Sequence, residues 1–196
     1  MNQYFKQVSK DIFDSLDSMR DEEFGAMLAD AVKTLESGHK IIVSGLGKNV
    51  PVCEKFVGTM LSMGQRASYM NTNSATHGDL GMVETGDMVI ILTKSGETTE
   101  SIYLHSLLCQ RDCIRWLLTF QRDSTLGKNV DHVLALELRD EGDPWNIAPN
   151  NSTAVNLIVL QGLAMEIVKQ RGLTLEEFQR NHPGGHIGEV LSHEGK

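Results

Sequence analysis

A buried strand and a hydroxyl-rich turn stand side by side at residues 88–100, which read Met88-Val89-Ile90-Ile91-Leu92-Thr93-Lys94-Ser95-Gly96-Glu97-Thr98-Thr99-Glu100. The first five residues are all apolar, which is typical of a parallel strand that is covered on both faces. Apolar residues then recur at helical spacing from Ile102 to Leu108, so the turn leads directly into a helix. A strand that passes through a short turn into a helix is the repeating unit of α/β folds.

The same strand–turn–helix order recurs along the chain. Apolar runs predict strands at residues 41–43, 67–70, 88–92, 114–119 and 132–138. Helical spacing predicts two N-terminal helices within residues 1–37, one after Pro51, one after residue 100, a long one from about Ser152 to Gln170, and a short one opening with the capping box Thr174-Leu175-Glu176-Glu177. We therefore predict one α/β domain over residues 1–196, a three-layer sandwich in which helices cover both faces of a parallel sheet.

Composition restricts the classes of partner. The chain has 18 Lys and Arg against 26 Asp and Glu, a formal net charge of -8. An acidic chain repels phosphodiester backbones and anionic lipids, so we expect no nucleic acid and no membrane as partners. The N-terminus lacks a signal-peptide pattern, and the three cysteines (Cys53, Cys109 and Cys113) suit reduced thiols without a metal site. We therefore expect a soluble, cytoplasmic protein that uses no metal.

Two loops with the composition of phosphate-binding sites follow predicted strands, where open parallel sheets bind their ligands. The first reads Ser44-Gly45-Leu46-Gly47-Lys48-Asn49. Its glycines let backbone N–H groups approach an anion, and the helix that follows adds partial positive charge. The alternative is a plain tight turn between strand and helix. The candidate phosphate-binding residues in this loop are Ser44, Gly45, Gly47 and Asn49.

The second loop follows the strand at residues 88–92, and its candidate phosphate-binding residues are Thr93, Ser95, Gly96 and Thr98. Hydroxyl donors at a helix start suit a phosphomonoester, which carries about −1.5 to −2 charges. The alternative is that one of these hydroxyls caps the helix, while Glu97 and Glu100 complement the helix dipole. Two acids beside a phosphate site are unfavourable unless one points elsewhere, which favours a catalytic role for one of them.

Four segments that occur in a fixed order narrow the interpretation. They read His77-Gly78-Asp79-Leu80-Gly81-Met82-Val83, Ser95-Gly96-Glu97, Ala148-Pro149 and His182-Pro183-Gly184-Gly185-His186-Ile187-Gly188. In these motifs the chain resembles the sugar isomerase (SIS) domain, and within it the arabinose-5-phosphate isomerase group, from about Ile41 to the C-terminus. The resemblance implies a flavodoxin-like or Rossmann-like sheet of five parallel strands flanked by helices. It also implies a homo-oligomer, a tetramer or a dimer, whose active sites are shared between subunits and use no cofactor.

The resemblance further implies an activity, the interconversion of an aldose phosphate and its ketose phosphate, with a phosphorylated sugar as the partner. The positions that match the family's catalytic set are Lys48, Glu100, Glu141 and His182. We assign Glu141 as the base at carbon and Glu100 as the proton shuttle between oxygens, although the two roles could be exchanged. His182 would open the sugar ring, and Lys48 would stabilise the charge of the enediolate or the phosphate. We expect burial to raise the pKa of the carbon base toward neutrality.

Departures from the family pattern leave the sugar more open than the reaction. Asn71-Thr72 stands where the family often has His-Pro, and Asn49-Val50 stands where it usually has Ser-Gly. Family members usually continue into two cystathionine-β-synthase-type regulatory modules, which we expect this chain, ending at Lys196, to lack. Two alternatives therefore stay open: a regulator that binds a sugar phosphate without turnover, and a hexulose-6-phosphate isomerase.

Three further features carry expectations of their own. His77 either caps a helix or binds a sugar hydroxyl. Ser152 lies in the segment Pro149-Asn150-Asn151-Ser152-Thr153, which is first a cap for the long helix and second a candidate substrate contact. The long helix is apolar on nearly every side, so we expect a subunit interface on it, at Val159 and Leu163.

Overall fold

Five parallel strands form the centre of the computed structural model, which describes residues 2–194; the predicted domain, residues 1–196, extends beyond this range at both ends. The strands are β1 (Ile41–Gly45), β2 (Ala67–Tyr69), β3 (Met88–Leu92), β4 (Ile114–Thr119) and β5 (His132–Ala135). Their order across the sheet is β2-β1-β3-β4-β5, and each strand is parallel to its neighbours. The predicted parallel α/β fold is confirmed.

Helices cover both faces of this sheet. They are α1 (Asn2–Asp17), α2 (Asp21–Glu36), α3 (Asn49–Ser62), α4 (Thr99–Leu108), α5 (Thr125–Asn129), α6 (Asn151–Gln170), α7 (Leu175–Arg180) and α8 (Gly185–Glu194), with two 3-10 helices at Ser74–His77 and Asp79–Met82. Side chains along a strand alternate between the faces. Ile41 and Val43 therefore pack with α2, α3 and α6, whereas Ile42 packs with α4 and α5 on the other face. The result is the predicted three-layer sandwich.

The long helix α6 turns a different side to the core from the one expected. Val159 is 3% exposed and Leu163 is 0% exposed, and both belong to the chain's own core. The apolar residues that face outward are Ile158, at 45% exposed, and Met165, at 42%. The prediction that Val159 and Leu163 lie at a subunit interface is therefore wrong for this pair. By length and composition α6 could also cross a membrane, but half of its most apolar window is buried inside the protein, and core helices meet the same criterion.

Two strand boundaries differ from the sequence prediction. Ser44 and Gly45 pair with Ile91 and Leu92 in the sheet, so they end β1 and are not part of the loop. The predicted strand at residues 132–138 ends at residue 135, because β4 offers no partner beyond Thr119. The backbone N–H of Glu137 instead donates to Ser18 Oγ at 2.8 Å, which ties the chain to the end of α1.

The short elements differ in how visible they are in the sequence. The capping box at Thr174 and Glu177 is present and begins α7 as predicted. Helices α5 and α8 were not predicted: α5 has only five residues, too few for apolar periodicity to appear, and α8 contains Gly185 and Gly188, which disfavour a helix. In α5 the start is fixed by Ser124, whose side chain accepts a hydrogen bond from the Gly127 N–H.

Candidate active site

A crevice opens between β1 and β3, where the chain order of the sheet reverses. The strands on either side of this point send their following helices to opposite faces, which leaves space beyond their carboxyl ends. A cavity of about 260 Å³ lies there. It is lined by residues of both predicted phosphate loops and of α4, namely Leu46, Asn49, Leu92, Thr93, Lys94, Ser95, Thr98 and Ser101. The two loops chosen from the sequence thus meet on one cavity.

The first loop is shaped by its glycines. Gly47 has a φ of 58°, a left-handed conformation that favours glycine. A Cβ at Gly45 would lie 2.9 Å from the Cβ of Asn49, so glycine at 45 lets α3 begin close to the strand. The Asn49 side chain donates to the Leu92 carbonyl at 3.5 Å and accepts from Asn156 Nδ2 at 3.1 Å. Asn49 therefore links β3 and α6 across the floor of the crevice.

Ser44 and Lys48 take different positions around this loop. Ser44 is fully buried, and its Oγ lies 2.8 Å from Thr72 Oγ1, so the hydroxyl joins the ends of β1 and β2. Lys48 is exposed and precedes α3 without capping it through its side chain. The predicted lysine is thus at the carboxyl edge of the sheet, with its ammonium group in solvent reach.

The second loop folds its hydroxyls inward. Thr93 Oγ1 lies 3.0 Å from Thr98 Oγ1 and accepts from the Gly96 N–H at 3.3 Å. Ser95 Oγ accepts from the Glu97 N–H at 3.1 Å. Thr98 occupies the N-cap position of α4, but its side chain makes no capping hydrogen bond. The alternative in which Thr98 or Ser95 caps α4 is therefore not realised, and the first N–H groups of the helix stay open to a ligand.

Ser101 adds an independent sign of a ligand in this cavity. The residue is 1% exposed, yet its Oγ has no hydrogen-bond partner. A buried hydroxyl without a partner is costly, and this one lines the cavity next to the open N-terminus of α4. A bound anion oxygen would satisfy both the hydroxyl and the helix N–H groups.

Glu97 does not oppose an anion here. Its carboxylate accepts from the Thr125 N–H at 2.7 Å, which directs it toward α5. That backbone hydrogen bond also lowers the pKa of Glu97. Of the two acids in the second loop, Glu97 is therefore the one that points elsewhere, and Glu100 stays in the first turn of α4 with its side chain exposed.

Glu141 is a fully buried carboxylate at the start of α6. Its Oε2 accepts from the backbone N–H groups of Asn150 at 3.0 Å and Ser152 at 2.9 Å. The N-cap residue, Asn150, makes no side-chain cap, so the carboxylate of Glu141 caps the helix in its place. The expectation that the segment 149–153 caps α6 by its own side chains is wrong in this respect, and the Ser152 N–H is engaged by Glu141.

Lys94 reaches Glu141 from the second loop. Its Nζ lies 2.7 Å from Glu141 Oε1, a close ion pair whose alignment falls short of a well-formed hydrogen bond. Burial raises the pKa of Glu141, but the Lys94 ammonium and the N–H groups of Ser152 and Asn150 outweigh burial, and the net shift lowers the pKa. The expected rise toward neutrality is therefore wrong, because the buried carboxylate is surrounded by donors.

The loop that carries Glu141 is held in place by local hydrogen bonds. The Glu141 N–H donates to Asn146 Oδ1 at 2.8 Å, and Asn146 adopts a φ of 54°, which asparagine tolerates better than most residues. The Asp143 carboxylate accepts from three backbone N–H groups downstream. Glu141 thus stands on a fixed support and not on a free loop.

The structure separates His182 from the other candidates within one chain. Its Nε2 lies 2.8 Å from Ser62 Oγ, its Nδ1 lies 2.9 Å from the Phe178 carbonyl, and its ring stacks on Phe178. Ser62 ends the 14-residue helix α3, about 20 Å from its first residue at the crevice. Lys48, Glu100 and Glu141 share the carboxyl edge of the sheet, and His182 lies toward the opposite edge. His77 follows β2 on the crevice side and is exposed.

Three residues of the site were missed from the sequence: Lys94, Ser101 and Asn156. Lys94 stands within the quoted loop, but nothing in its spacing indicates the partner 47 residues away. Ser101 follows the loop at the second turn of a helix, where a serine attracts no notice. Among residues 2–194, no cluster of three potential metal ligands occurs.

Comparison with known proteins assigns this fold and site to a family. The model of the SIS domain matches residues 34–166. The chain belongs to the SIS domain family. The match covers β1 to most of α6, so both loops of this SIS domain and Glu141 fall within it. The recognition made from the motifs is confirmed.

Relatives of this SIS domain include named enzymes. The arabinose 5-phosphate isomerase KdsD of Yersinia pestis is 32% identical over 186 residues, which is 94% of this chain and 56% of that protein. The arabinose 5-phosphate isomerase KpsF of Escherichia coli is 35% identical over 182 residues, 86% of this chain and 57% of that protein. The structure of c3406 from E. coli CFT073 in complex with arabinose 5-phosphate superposes with a TM-score of 0.84 at 27% identity, covering 93% of this chain and 95% of that one. The chain spans about half the length of the curated relatives it matches.

Proposed function

We propose that this SIS domain interconverts an aldose phosphate and its ketose phosphate through an enediol, with D-arabinose 5-phosphate and D-ribulose 5-phosphate as the first substrate pair to test. The observation that carries the proposal is the single cavity on which both phosphate loops meet, with the unpartnered Ser101 hydroxyl in it and a buried carboxylate tied to it through Lys94. The names of the KdsD and KpsF relatives support the reaction class.

The chemistry needs a base at carbon and a proton carrier at oxygen. Glu141 removes the proton from C2 of the open-chain aldose, which leaves an enediolate, and the same proton returns at C1 to give the ketose. Glu100 moves the other proton between the two oxygens, or the two glutamates exchange these tasks. Lys48 offsets the negative charge of the enediolate. The electrons stay within the substrate throughout, so the step requires no redox cofactor.

The lowered pKa of Glu141 has a consequence for this role. A carboxylate held below its ordinary pKa is ionised at neutral pH, so it is ready to accept a proton. The same shift makes it a weaker base, because proton transfer is most effective when the pKa of the base lies near the working pH. The proposal therefore includes a rise in the pKa of Glu141 when substrate is bound.

We further propose that the complete site is assembled from two subunits of a homo-oligomer. Glu141 and His182 lie toward opposite edges of one chain, and exposed aromatic side chains on α1 (Tyr4, Phe5 and Phe13) suit contact with another copy. The test mixes two inactive variants, Glu141→Gln and His182→Ala. Random reassembly of a shared site restores about a quarter of wild-type activity, whereas a site within one chain stays inactive after mixing.

The experiment that tests the reaction is proton NMR in heavy water with a panel of aldose and ketose phosphates. Isomerisation exchanges the C1 or C2 proton for deuterium, and the panel identifies the substrate by which sugar exchanges. Glu141→Gln is expected to lose most of this exchange while still binding the sugar phosphate. Exchange at the wild-type rate in that variant would contradict the assignment of Glu141.

A second function is favoured by one observation, the contact of Lys94 with the only oxygen of Glu141 that its backbone donors leave free. A carboxylate occupied in this way suits a protein that binds a sugar phosphate without turnover. In that case the NMR panel shows binding shifts with one sugar phosphate and no exchange with any. A hexulose phosphate that exchanges in place of the pentose phosphates would select the hexulose-6-phosphate isomerase alternative.

A further inference from the structure

The two carboxylate oxygens of Glu141 have different freedom. Oε2 accepts from two backbone N–H groups, those of Asn150 and Ser152, and these donors are fixed by α6. A carboxylate oxygen offers about two acceptor sites, so Oε2 is saturated. Any proton that Glu141 takes from a substrate must therefore go to Oε1.

The contact partner of Oε1 in the structure is the Lys94 ammonium, at 2.7 Å. The other charged groups near Glu141 are engaged or placed elsewhere. On its own loop, Asp140 and Asp143 accept from backbone N–H groups. Lys48 on the first loop and Glu100 on α4 share the edge of the sheet and are exposed. Lys94 thus determines whether Oε1 is available.

Lys94 is the mobile member of the pair. The Glu141 side chain is 0% exposed and the Lys94 side chain is 43% exposed, so the ammonium can leave while the carboxylate cannot. The Lys94 backbone is fixed, since its carbonyl accepts from the Phe120 N–H at 3.1 Å and from Thr119 Oγ1 at 3.2 Å. Movement is therefore confined to the flexible four-carbon side chain.

Lys94 also lines the cavity that contains Ser95, Thr98 and the unpartnered Ser101. A phosphomonoester in this cavity carries about −1.5 to −2 charges, more than the single charge of a carboxylate. Charge-assisted hydrogen bonds to phosphate are among the strong ones in proteins. A phosphate in the cavity and the Glu141 carboxylate therefore compete for one ammonium group.

We propose that Lys94 is a positioning residue that exchanges between Glu141 Oε1 and the phosphate of a bound sugar phosphate, so that the phosphate itself frees the carboxylate oxygen. The inference rests on the proposed function for the phosphorylated substrate, and it adds a reason why the phosphate controls turnover as well as binding. A sugar without phosphate leaves Lys94 on Oε1, and the base stays masked.

The test follows the ionisation of Glu141 by carbon NMR in protein labelled with ¹³C-glutamate, with the signal assigned by its loss in Glu141→Gln. The probe is inorganic sulfate, which keeps two negative charges over the pH range in which glutamate titrates. In the wild type, sulfate is expected to raise the pKa of Glu141, because Lys94 leaves and an anion arrives. In Lys94→Met the pKa is already higher, and sulfate produces a smaller shift that reflects repulsion alone.

Two further variants complete the comparison. Lys94→Arg keeps the charge and is expected to restore the low pKa and the larger sulfate shift. Lys169→Met removes an exposed lysine that pairs with Glu166 far from the crevice and is expected to behave as wild type. Removing the Lys94 charge should also weaken sulfate binding by about tenfold.

Equal sulfate shifts in the wild type and in Lys94→Met would overturn the proposal, because Lys94 would then remain on Glu141. Absence of sulfate binding at every concentration that the protein tolerates would overturn it as well. These readouts require no turnover, so they decide the role of Lys94 even if the NMR panel shows no isomerisation. Where turnover is present, Lys94→Met is expected to reduce the preference for phosphorylated over unphosphorylated sugar in kcat by about tenfold or more.

Discussion

Replacing Glu141 separates its structural task from its chemical one. Glu141→Ala removes the cap of α6 and leaves the Ser152 N–H, on a residue that is 3% exposed, without its acceptor. A lost cap costs about 1 kcal/mol, and a buried donor left unpaired costs about 1–3 kcal/mol. We therefore expect Glu141→Ala to lower the free energy of unfolding by about 2–4 kcal/mol.

Glu141→Gln is expected to cost less, because the amide oxygen can accept from the same two backbone N–H groups. It loses the favourable charge at the helix N-terminus, about 0.3–1 kcal/mol, and an ion pair with the half-exposed Lys94, about 0–1 kcal/mol. The expected cost is about 1 kcal/mol, together with a loss of most turnover. The two variants thus rank differently in stability although both lack the base.

The assay is urea unfolding followed by circular dichroism at neutral and acidic pH. Because the pKa of Glu141 is lowered on folding, its ionised form stabilises the protein above the unfolded value, about 4.3. That contribution is lost as the pH falls through the folded pKa, so the gap between wild type and Glu141→Gln should narrow in acid. The controls are Glu137→Ala and Glu137→Gln, at an exposed position four residues upstream, where both changes should stay within about 0.5 kcal/mol. If Glu141→Ala is as stable as Glu141→Gln, α6 does not depend on this carboxylate and the reasoning fails.

Three other changes probe the cavity and the surface. Gly96→Ala places a Cβ 2.0 Å from Ser124 Oγ at a φ of 65°, so urea unfolding should show a loss of about 2–4 kcal/mol; an unchanged midpoint would contradict the close packing of this loop. Ser101→Ala removes a buried hydroxyl that has no partner, so the melting temperature should be unchanged or higher without sulfate while the gain on adding sulfate shrinks; an undiminished gain would exclude Ser101 as an anion contact. Ile158→Glu should reduce the particle mass measured by light scattering without unfolding the chain, whereas Val159→Glu, at a position 3% exposed, should unfold it; an oligomer that survives Ile158→Glu would remove this side of α6 from the interface.

The sequence was sufficient for the parts of the fold that depend on local pattern. The run of residues 88–92 predicted a buried central strand, and parallel topology placed the two phosphate loops at the same edge of the sheet. The capping box at Thr174 and Glu177 was visible because its two members are three residues apart. In each case the interacting residues are close in sequence, or their meeting follows from strand direction alone.

Other features depend on contacts that no local pattern encodes. Burial of Glu141 suggested a raised pKa, but the direction was decided by Lys94, 47 residues earlier, and by the start of α6. The apolar residues of α6 surround the helix, so periodicity could not distinguish Val159 in the core from Ile158 outside. His182 matched a family motif, but a motif does not state which copy of the chain it serves.

The position of the anion cavity follows from how the two helix N-termini at this edge are used. The N-terminus of α6 is occupied by a side chain of the protein, since the Glu141 carboxylate accepts the N–H groups there. A phosphate placed at the same helix end would be repelled by that carboxylate. The N-terminus of α4 has no side-chain cap, its nearest acid in the loop is turned toward α5, and the Ser101 hydroxyl beside it lacks a partner. The internal carboxylate at one helix therefore directs an external anion to the other, and Lys94, between them, is the one described side chain that contacts the first and lines the cavity of the second.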